Sequence, residues 1–361
     1  MKAAVCYAFN EPLSIEDVEI DPPQRGEVRV RLSATAICHS DIHYIRGERD
    51  AQPPLVVGHE AAGTVVEVGE GVNLARPGDE VIVSLLRSCG RCFFCLQGQP
   101  YHCEGSFALS SESRLRNARG EPLGDGGLGV SAFAEEAIVD QSQVVAIPVG
   151  MPMDRAALLA CGVITGLGAV VNTARIRPSS NVAVIGIGGV GLNAVQGAAL
   201  AGAPRIIALD TRDSKLEAAR TFGATHVLNV RRGDPVREVR ALTEGRGADA
   251  VFVTAGSAGA AQQGLAMTRT AGTLVLVGLP APGVTLPIVI RDIGWSGQRI
   301  LGSCMGSTRL AVDVPWLGDL YRQGRLKLDE LISGRYPLER INEAIEDVER
   351  GDALRNVIVF P

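Results

Sequence analysis

The sequence predicts an α/β protein, with a doubly wound parallel sheet in mid-chain and a strand-rich domain before it. Three observations carry that reading. Short aliphatic runs alternate with helical patterns from about residue 163 to 300, which is how a parallel sheet covered on both faces is written. Residues 1 to about 160 instead carry β-branched segments bounded by Gly and Pro. Finally, Gly186-Ile-Gly188-Gly189-Val190-Gly191 falls between an aliphatic run and a helix-compatible stretch.

In the first block, Glu27–Ala34 and Ala62–Val68 read as strands, and Arg114–Asp125 as an exposed polar loop. In the middle block the strand runs are Val182–Ile185, Arg205–Leu209, His226–Asn229, Ala250–Thr254 and Thr273–Val277. Asp213–Phe222 and Pro235–Thr243 carry helical patterns between them. The last block mixes helix and strand and ends in Val357–Phe360, a strand expected to return to the first block. The expected domains are therefore 1–162, 163–300 and 301–361, the last completing the first. No internal repeat or low-complexity segment interrupts them.

Length and composition narrow the function classes. The chain has 361 residues, 46% of them hydrophobic, enough to fill two cores. Glycine is frequent, at 43, and aromatics are only 4%, which suits tight turns and aliphatic-packed sheets. A net charge of -5 argues against nucleic acid or an anionic membrane as the main partner. No membrane-spanning run is expected, and the start, MKAAVCYAF, reads as a first strand rather than a signal peptide. The expected compartment is the cytoplasm.

A reducing cytoplasm disfavours disulfides, so clustered cysteines point to metal. Of eight cysteines, Cys89, Cys92, Cys95 and Cys103 follow the spacing C-x2-C-x2-C-x7-C inside a lobe at 88–104. Four thiolates so close can close a tetrahedral shell around zinc with no open position, which makes the site structural. Gly90 and Gly98 allow so tight a wrap. Spacing this dense rules against four unrelated buried thiols, but it leaves an iron–sulfur cluster open.

The glycine loop at 186–191 suits a dinucleotide. Its glycines let the backbone approach a pyrophosphate at a helix N-terminus. The next aliphatic run ends in Asp210, 19 residues after Gly191. A carboxylate there binds ribose hydroxyls and repels a 2′-phosphate, which favours NAD over NADP. Arg212, close by, leaves some room for a phosphate.

A second set of residue types suits metal chemistry without proving it. Cys38-His39-Ser40-Asp41-Ile42-His43 is followed by Gly58-His59-Glu60 and, much later, by Cys161 in LLACGVITG. Taken singly, a buried cysteine or a lone histidine is ordinary. Nothing in the periodicity brings Cys161 back to Cys38.

Together these motifs resemble the zinc-containing alcohol dehydrogenases of the medium-chain dehydrogenase/reductase superfamily. CHSDIH at 38–43, GHEAAG at 58–63, PGDEV at 77–81, the four-cysteine lobe, LLACGVITG at 158–166 and GIGGVG at 186–191 occur in family order across nearly the whole chain. The resemblance implies a GroES-like catalytic domain, a Rossmann cofactor domain and two zinc ions per chain, and it sets the iron–sulfur reading aside. It also implies that Cys38, His59 and Cys161 hold a catalytic zinc, a ligand set that comes from the family and not from spacing. The alcohol would bind as an alkoxide on that zinc and pass its hydride to NAD.

Ser40 and His43 match the family's proton relay, with His43 as a turn cap the plainer alternative. Asp41 matches a carboxylate that orients His59. Glu60 matches a residue able to approach the metal during ligand exchange, or else to act only by its charge. Lys215 matches a contact to the adenosine ribose. Thr165, Val190, Val277 and Leu279 match contacts to the nicotinamide, and Arg355 and His39 match contacts to the pyrophosphate.

Leu85, Gly127 and Leu128 align with the family's substrate channel, and Leu and Gly where aromatics are frequent imply a roomy apolar pocket. Medium-chain or benzylic alcohols are expected to fit it better than ethanol. The polar loop 106–130 belongs to the longer-loop type, which includes thiol-dependent formaldehyde dehydrogenases. His43 and Phe107 depart from the tyrosine and arginine usual in the glutathione-dependent enzymes, so a glutathione- or mycothiol-dependent formaldehyde-adduct activity is the alternative. A non-catalytic relative would lack one of Cys38, His59 and Cys161, and all are present. A homodimer or homotetramer is expected, with the apolar stretch Val284–Ile293 able to pair across a two-fold axis.

Overall fold

Pairing begins at the N-terminus, where Lys2–Val5 (β1) lies antiparallel to Ser14–Asp17 (β2) and Glu19–Ile20 (β3) follows. Glu27–Ala36 (β4) is the centre of a larger sheet. It is flanked by Glu60–Val68 (β5), and beyond that lies Glu80–Ser84 (β6). Leu115–Arg116 (β7) pairs with β3, Glu136–Asp140 (β8) with β4, and Val144–Ala146 (β9) with β6. Two strands from the far end of the chain complete the sheet: Ile332–Tyr336 (β16) and Arg355–Val359 (β17), the latter antiparallel to β4. Valines and leucines on the inner faces, with Phe133, Leu55 and Leu123 fully buried, form the core. Truncating Phe133 to alanine would cost about 3–5 kcal/mol.

The second sheet has six parallel strands in the order β12-β11-β10-β13-β14-β15. They are Asn181–Ile185 (β10), Arg205–Asp210 (β11), His226–Asn229 (β12), Ala248–Val253 (β13), Thr268–Leu276 (β14) and Arg299–Gly302 (β15). This order reverses direction between β10 and β13, the switch point of a doubly wound fold. Its central strands are apolar and buried apart from Asn181 and Asp249 near their starts, because both faces are covered. The helix Pro235–Leu242 shows the local logic. Pro235 takes the first helical position, and the Asp234 carboxylate accepts from the N–H groups of Val236 at 3.0 Å and Arg237 at 3.2 Å.

These coordinates, a computed structural model, describe residues 1–110, 112–351 and 353–361. They divide into Met1–Cys161 with Arg309–Pro361, and Gly162–Thr308. The boundary expected at residue 300 would cut β15, whose pairing with β14 keeps it in the second unit. That unit runs on through a turn at Cys304–Ser307, where Gly306 packs against Gly168 so closely that a Cβ on Gly168 would lie 2.4 Å from its carbonyl oxygen.

Two further expectations are corrected. Met153–Ala174 is a continuous 22-residue helix, long and apolar enough in composition to cross a membrane, but most of its apolar window is buried inside the protein. The segment Arg114–Asp125 is not an exposed loop throughout: Arg114, Leu115, Asn117 and Leu123 are buried, and only Ala118–Pro122 is exposed. The reason is a partner invisible in local composition. The Arg114 guanidinium grips the buried Glu27 carboxylate with two bonds, at 3.0 and 2.7 Å. Ser111, in the 106–130 loop, lies outside the described residues.

Candidate active site

Cys38 follows β4 and caps the short helix His39–Ile45. From the first turn of that helix Asp41 points inward, fully buried. One of its oxygens accepts the Cys38 N–H at 3.0 Å. The other accepts the Gly58 N–H at 3.0 Å and His59 Nδ1 at 2.8 Å. One carboxylate therefore sets the segments that carry Cys38 and His59. Gly58 is required there: its φ is +98°, and a Cβ would lie 2.6 Å from the Phe133 backbone nitrogen.

Cys161 comes from a π-helical turn, Leu159–Val163, inside the long helix. Ser84, which lies opposite Glu60 in the β5–β6 ladder, donates its hydroxyl to the Ala160 carbonyl at 2.6 Å. This bond brings Cys161 to the start of β5, where His59 and Glu60 lie. The ligand atoms of Cys38, His59, Glu60 and Cys161 all lie within 4.8 Å of one another, and all four residues are buried.

The donor set fits zinc. His59 Nδ1 is committed to Asp41, and Nε2 is buried with no hydrogen-bond partner, the disposition of a ligating imidazole. Burial opposes charge on His59, but the charge and hydrogen bond of Asp41, with help from Cys38, raise its pKa well above the usual imidazole range. A field that favours a proton on Nε2 also favours a divalent cation in its place. The Cys161 thiol donates to Cys38, which draws the Cys38 pKa well below and the Cys161 pKa well above the ordinary thiol value. Two soft sulfurs and one imidazole leave one position of a tetrahedral shell for another ligand.

Glu60 is fully buried and pairs with the guanidinium of Arg355. Burial pushes its carboxyl up to about 7, against the pull of Arg355. Arg355, expected at a pyrophosphate, is here 6% exposed and is held by Glu60 and, at 3.4 Å, by the Ile37 carbonyl. Ser40 is half-buried and His39 exposed. His43 Nδ1 lies 2.5 Å from Glu48 Oε2, a partner that sequence reasoning missed.

The four lobe cysteines form the second cluster, with sulfurs also within 4.8 Å of one another. Cys92 and Cys103 sulfurs are 3.9 Å apart, near the ~3.8 Å edge of a tetrahedron with zinc–sulfur bonds of about 2.3 Å. Backbone N–H groups of Cys89 and Gly105 each point at the Cys103 sulfur from 3.2 Å. Those of Cys95 and Glu104 draw the Cys92 thiol down to about 6. Gly90 and Gly98 have φ of +70° and +73°. Gly105 is a further requirement, since a Cβ would lie 2.6 Å from that of Cys89. These thiols are half-buried, unlike those of the first cluster.

In the second unit the glycine loop sits at the carboxyl ends of β10 and β11. Gly186 has φ +91°, and a Cβ on Gly191 would fall 1.9 Å from the Gly186 carbonyl oxygen. Gly188 caps the helix Gly189–Leu200, whose first turn holds Val190. Asp210 ends β11, and its carboxylate accepts the Ile187 N–H at 2.7 Å and the Arg212 N–H at 3.0 Å. Lys215 is half-buried in the next helix, Asp213–Thr221. Thr165 and Val277 are buried, and Leu279 is exposed.

Three residues are expected to line the substrate channel. Leu85 is half-buried, Leu128 buried and Gly127 exposed. Tyr44, however, lies against this segment: a Cβ on Gly126 would be 3.1 Å from its ring and one on Gly127 3.8 Å from its hydroxyl. Tyr44, on the helix His39–Ile45, thus places an aromatic ring beside Gly126 and Gly127.

Residues 24–149 match the family model described as alcohol dehydrogenase GroES-like domain, and residues 189–319 the model described as zinc-binding dehydrogenase. Among curated proteins, "Probable S-(hydroxymethyl)glutathione dehydrogenase 1" of Schizosaccharomyces pombe is 37% identical, over 99% of this chain and 96% of that protein. The crystal structure of an alcohol dehydrogenase zinc-binding domain protein from Burkholderia ambifaria superposes with a TM-score of 0.95 at 35% identity, covering 100% of this chain and 98% of the other. Benzyl alcohol dehydrogenase from Acinetobacter calcoaceticus superposes with a TM-score of 0.93 at 31% identity, covering 100% and 99%.

Proposed function

Since this chain belongs to the zinc-dependent alcohol dehydrogenases and is an oxidoreductase acting on alcohols, we propose that hydride passes between the alcohol carbon and NAD while Ser40 and His43 move the alcohol proton. The observation that carries this is the buried Cys38–His59–Cys161 set, with His59 Nδ1 tied to Asp41 and Nε2 left over. A zinc ion held there would supply a Lewis acid that acidifies an alcohol and polarises a carbonyl. Asp41 fixes the tautomer and orientation of His59. Ser40 takes the hydroxyl proton, and His43, with 34% of its side chain exposed, returns it to water. Glu60, buried against the ligands, tunes their charge and can approach the metal when ligands exchange.

NAD is the preferred cofactor because Asp210 presents a carboxylate, braced by the Ile187 and Arg212 N–H groups, where a 2′-phosphate would sit. His39 and Arg355 are the proposed pyrophosphate contacts, with Lys215 at the ribose and Thr165, Val190, Val277 and Leu279 at the nicotinamide. Cys89, Cys92, Cys95 and Cys103 hold a second zinc that serves folding alone. Leu85, Leu128 and the space at Gly127 suit medium-chain or benzylic alcohols, and Tyr44 adds an aromatic wall.

Self-association follows from the edge of the six-stranded sheet. β15 is its last strand, and Val289, Ile290 and Trp295 just before it are exposed, so pairing of two copies would cover them. A cytoplasmic setting suits eight cysteines that are all free thiols.

Measuring NADH absorbance over a panel of alcohols, with zinc per chain on the same sample, tests the reading. The expected result is NAD-linked oxidation, kcat/KM rising beyond ethanol, and about two zinc per chain. Steadily falling kcat/KM with chain length would overturn the pocket assignment. The thiol-adduct alternative is favoured by the name of the Schizosaccharomyces pombe relative. Formaldehyde oxidation that requires added glutathione or mycothiol would establish it.

A further inference from the structure

We infer that Glu48 is a positioning residue for proton transfer, holding the His43 imidazole so that Nε2, and not Nδ1, faces the relay. The inference rests on the Ser40–His43 relay proposed above.

The contact is built into the fold. Arg46 is anchored by an ion pair to Glu349 at 2.5 Å, and the Asn10 N–H bonds the Ile45 carbonyl at 3.0 Å. Gly47 then takes a φ of +70° with its α-carbon so close to Phe9 that a Cβ would lie 2.8 Å from the ring. No other residue suits both constraints. This left-handed step turns the chain back, and the Glu48 N–H bonds the His43 carbonyl at 2.9 Å. Backbone and side chain of Glu48 therefore both close on the same residue, with the carboxylate 2.5 Å from Nδ1.

A neutral imidazole has one N–H and one lone pair. A carboxylate at Nδ1 can only accept, so the N–H sits on Nδ1 and the lone pair on Nε2. In alcohol oxidation the lone pair on Nε2 receives the proton handed on from Ser40. In carbonyl reduction Nε2–H returns it. Without Glu48 the ring is free to rotate and to change tautomer, and part of the population presents an N–H where an acceptor is needed. The separation of roles, with Glu48 touching His43 and not the substrate, means its loss acts on proton transfer rather than on binding.

The test compares Glu48→Ala, Glu48→Gln and His43→Gln as zinc-loaded enzymes. Glu48→Ala is expected to lower kcat about tenfold at unchanged KM and to enlarge the solvent deuterium isotope effect. Glu48→Gln, whose amide oxygen still accepts from Nδ1, restores at least half of kcat. Nitrogen NMR of the five histidines, assigned by His43→Gln, is expected to show Nε2 unprotonated in the parent and a tautomer mixture in Glu48→Ala. Full kcat in Glu48→Ala beside an impaired His43→Gln would overturn the inference and leave the relay standing. An unimpaired His43→Gln would remove the relay and the inference together. Equal losses in Glu48→Ala and Glu48→Gln would overturn it too, because charge and not the accepted hydrogen bond would then be at work.

Discussion

The two cysteine clusters differ in almost every physical respect. Cys89, Cys92, Cys95 and Cys103 lie on one short lobe, half-buried, with nearby backbone N–H groups directed at the Cys92 and Cys103 sulfurs. Cys38, His59 and Cys161 arrive from a helix start, a strand start and a π turn, and all are buried. The first cluster offers four sulfurs and therefore a closed shell; the second offers three good ligands and a raised carboxyl beside them. Closure by local chain suits stability, and assembly from remote elements suits chemistry, because only the second kind of site leaves a position open for another ligand.

Removing a ligand from each cluster tests that contrast most directly. Cys161→Ser is expected to lower kcat/KM by roughly 10³-fold, the rate equivalent of several kcal/mol of lost transition-state stabilisation. It keeps one zinc per chain, with melting little altered. Substantial activity at one zinc per chain would break the assignment of roles. Asp41→Asn is a smaller perturbation of the same site. The amide cannot both accept from the Cys38, Gly58 and His59 donors and avoid presenting its own N–H, so zinc affinity is expected to drop about 10–100-fold in competition with a chelator. No change in affinity would mean that Asp41 serves only the backbone. Cys95→Ser should have the least effect on chemistry. Tm falls by roughly 10 °C, whereas kcat of the protein that remains folded stays within about twofold. A matching loss of kcat would show that the lobe is not merely structural.

The same contrast explains what could be read from sequence. The lobe is legible because its ligands fall within one short span, and the glycine loop because strand, loop and helix are consecutive. The parallel sheet is legible for a related reason: its central runs bury both faces and so announce themselves. Cys161 lies 123 residues beyond Cys38, and only likeness to a family joined them. The bond from Ser84 to Ala160 that achieves the closure leaves no trace in spacing. Glu48 was equally hidden, since a carboxylate five residues after a histidine faces it only if Gly47 turns the chain. Arg114 looked solvated because its partner, Glu27, is 87 residues away. Polar composition reports what a segment could do in water, not what a distant strand offers it.

The discontinuity of the first unit bears on how the chain is made. β17, Arg355–Val359, sits inside the sheet between β16 and β4, and it carries the guanidinium that partners Glu60. A ribosome therefore delivers this central strand of the first unit only after the whole of the second unit. Residues 162–308, a single continuous stretch, can finish folding well before that. The order of completion therefore departs from the order of translation: residues 162–308 can mature first, and the N-terminal half waits, with Glu60 lacking its counter-charge, for a five-residue strand translated after them.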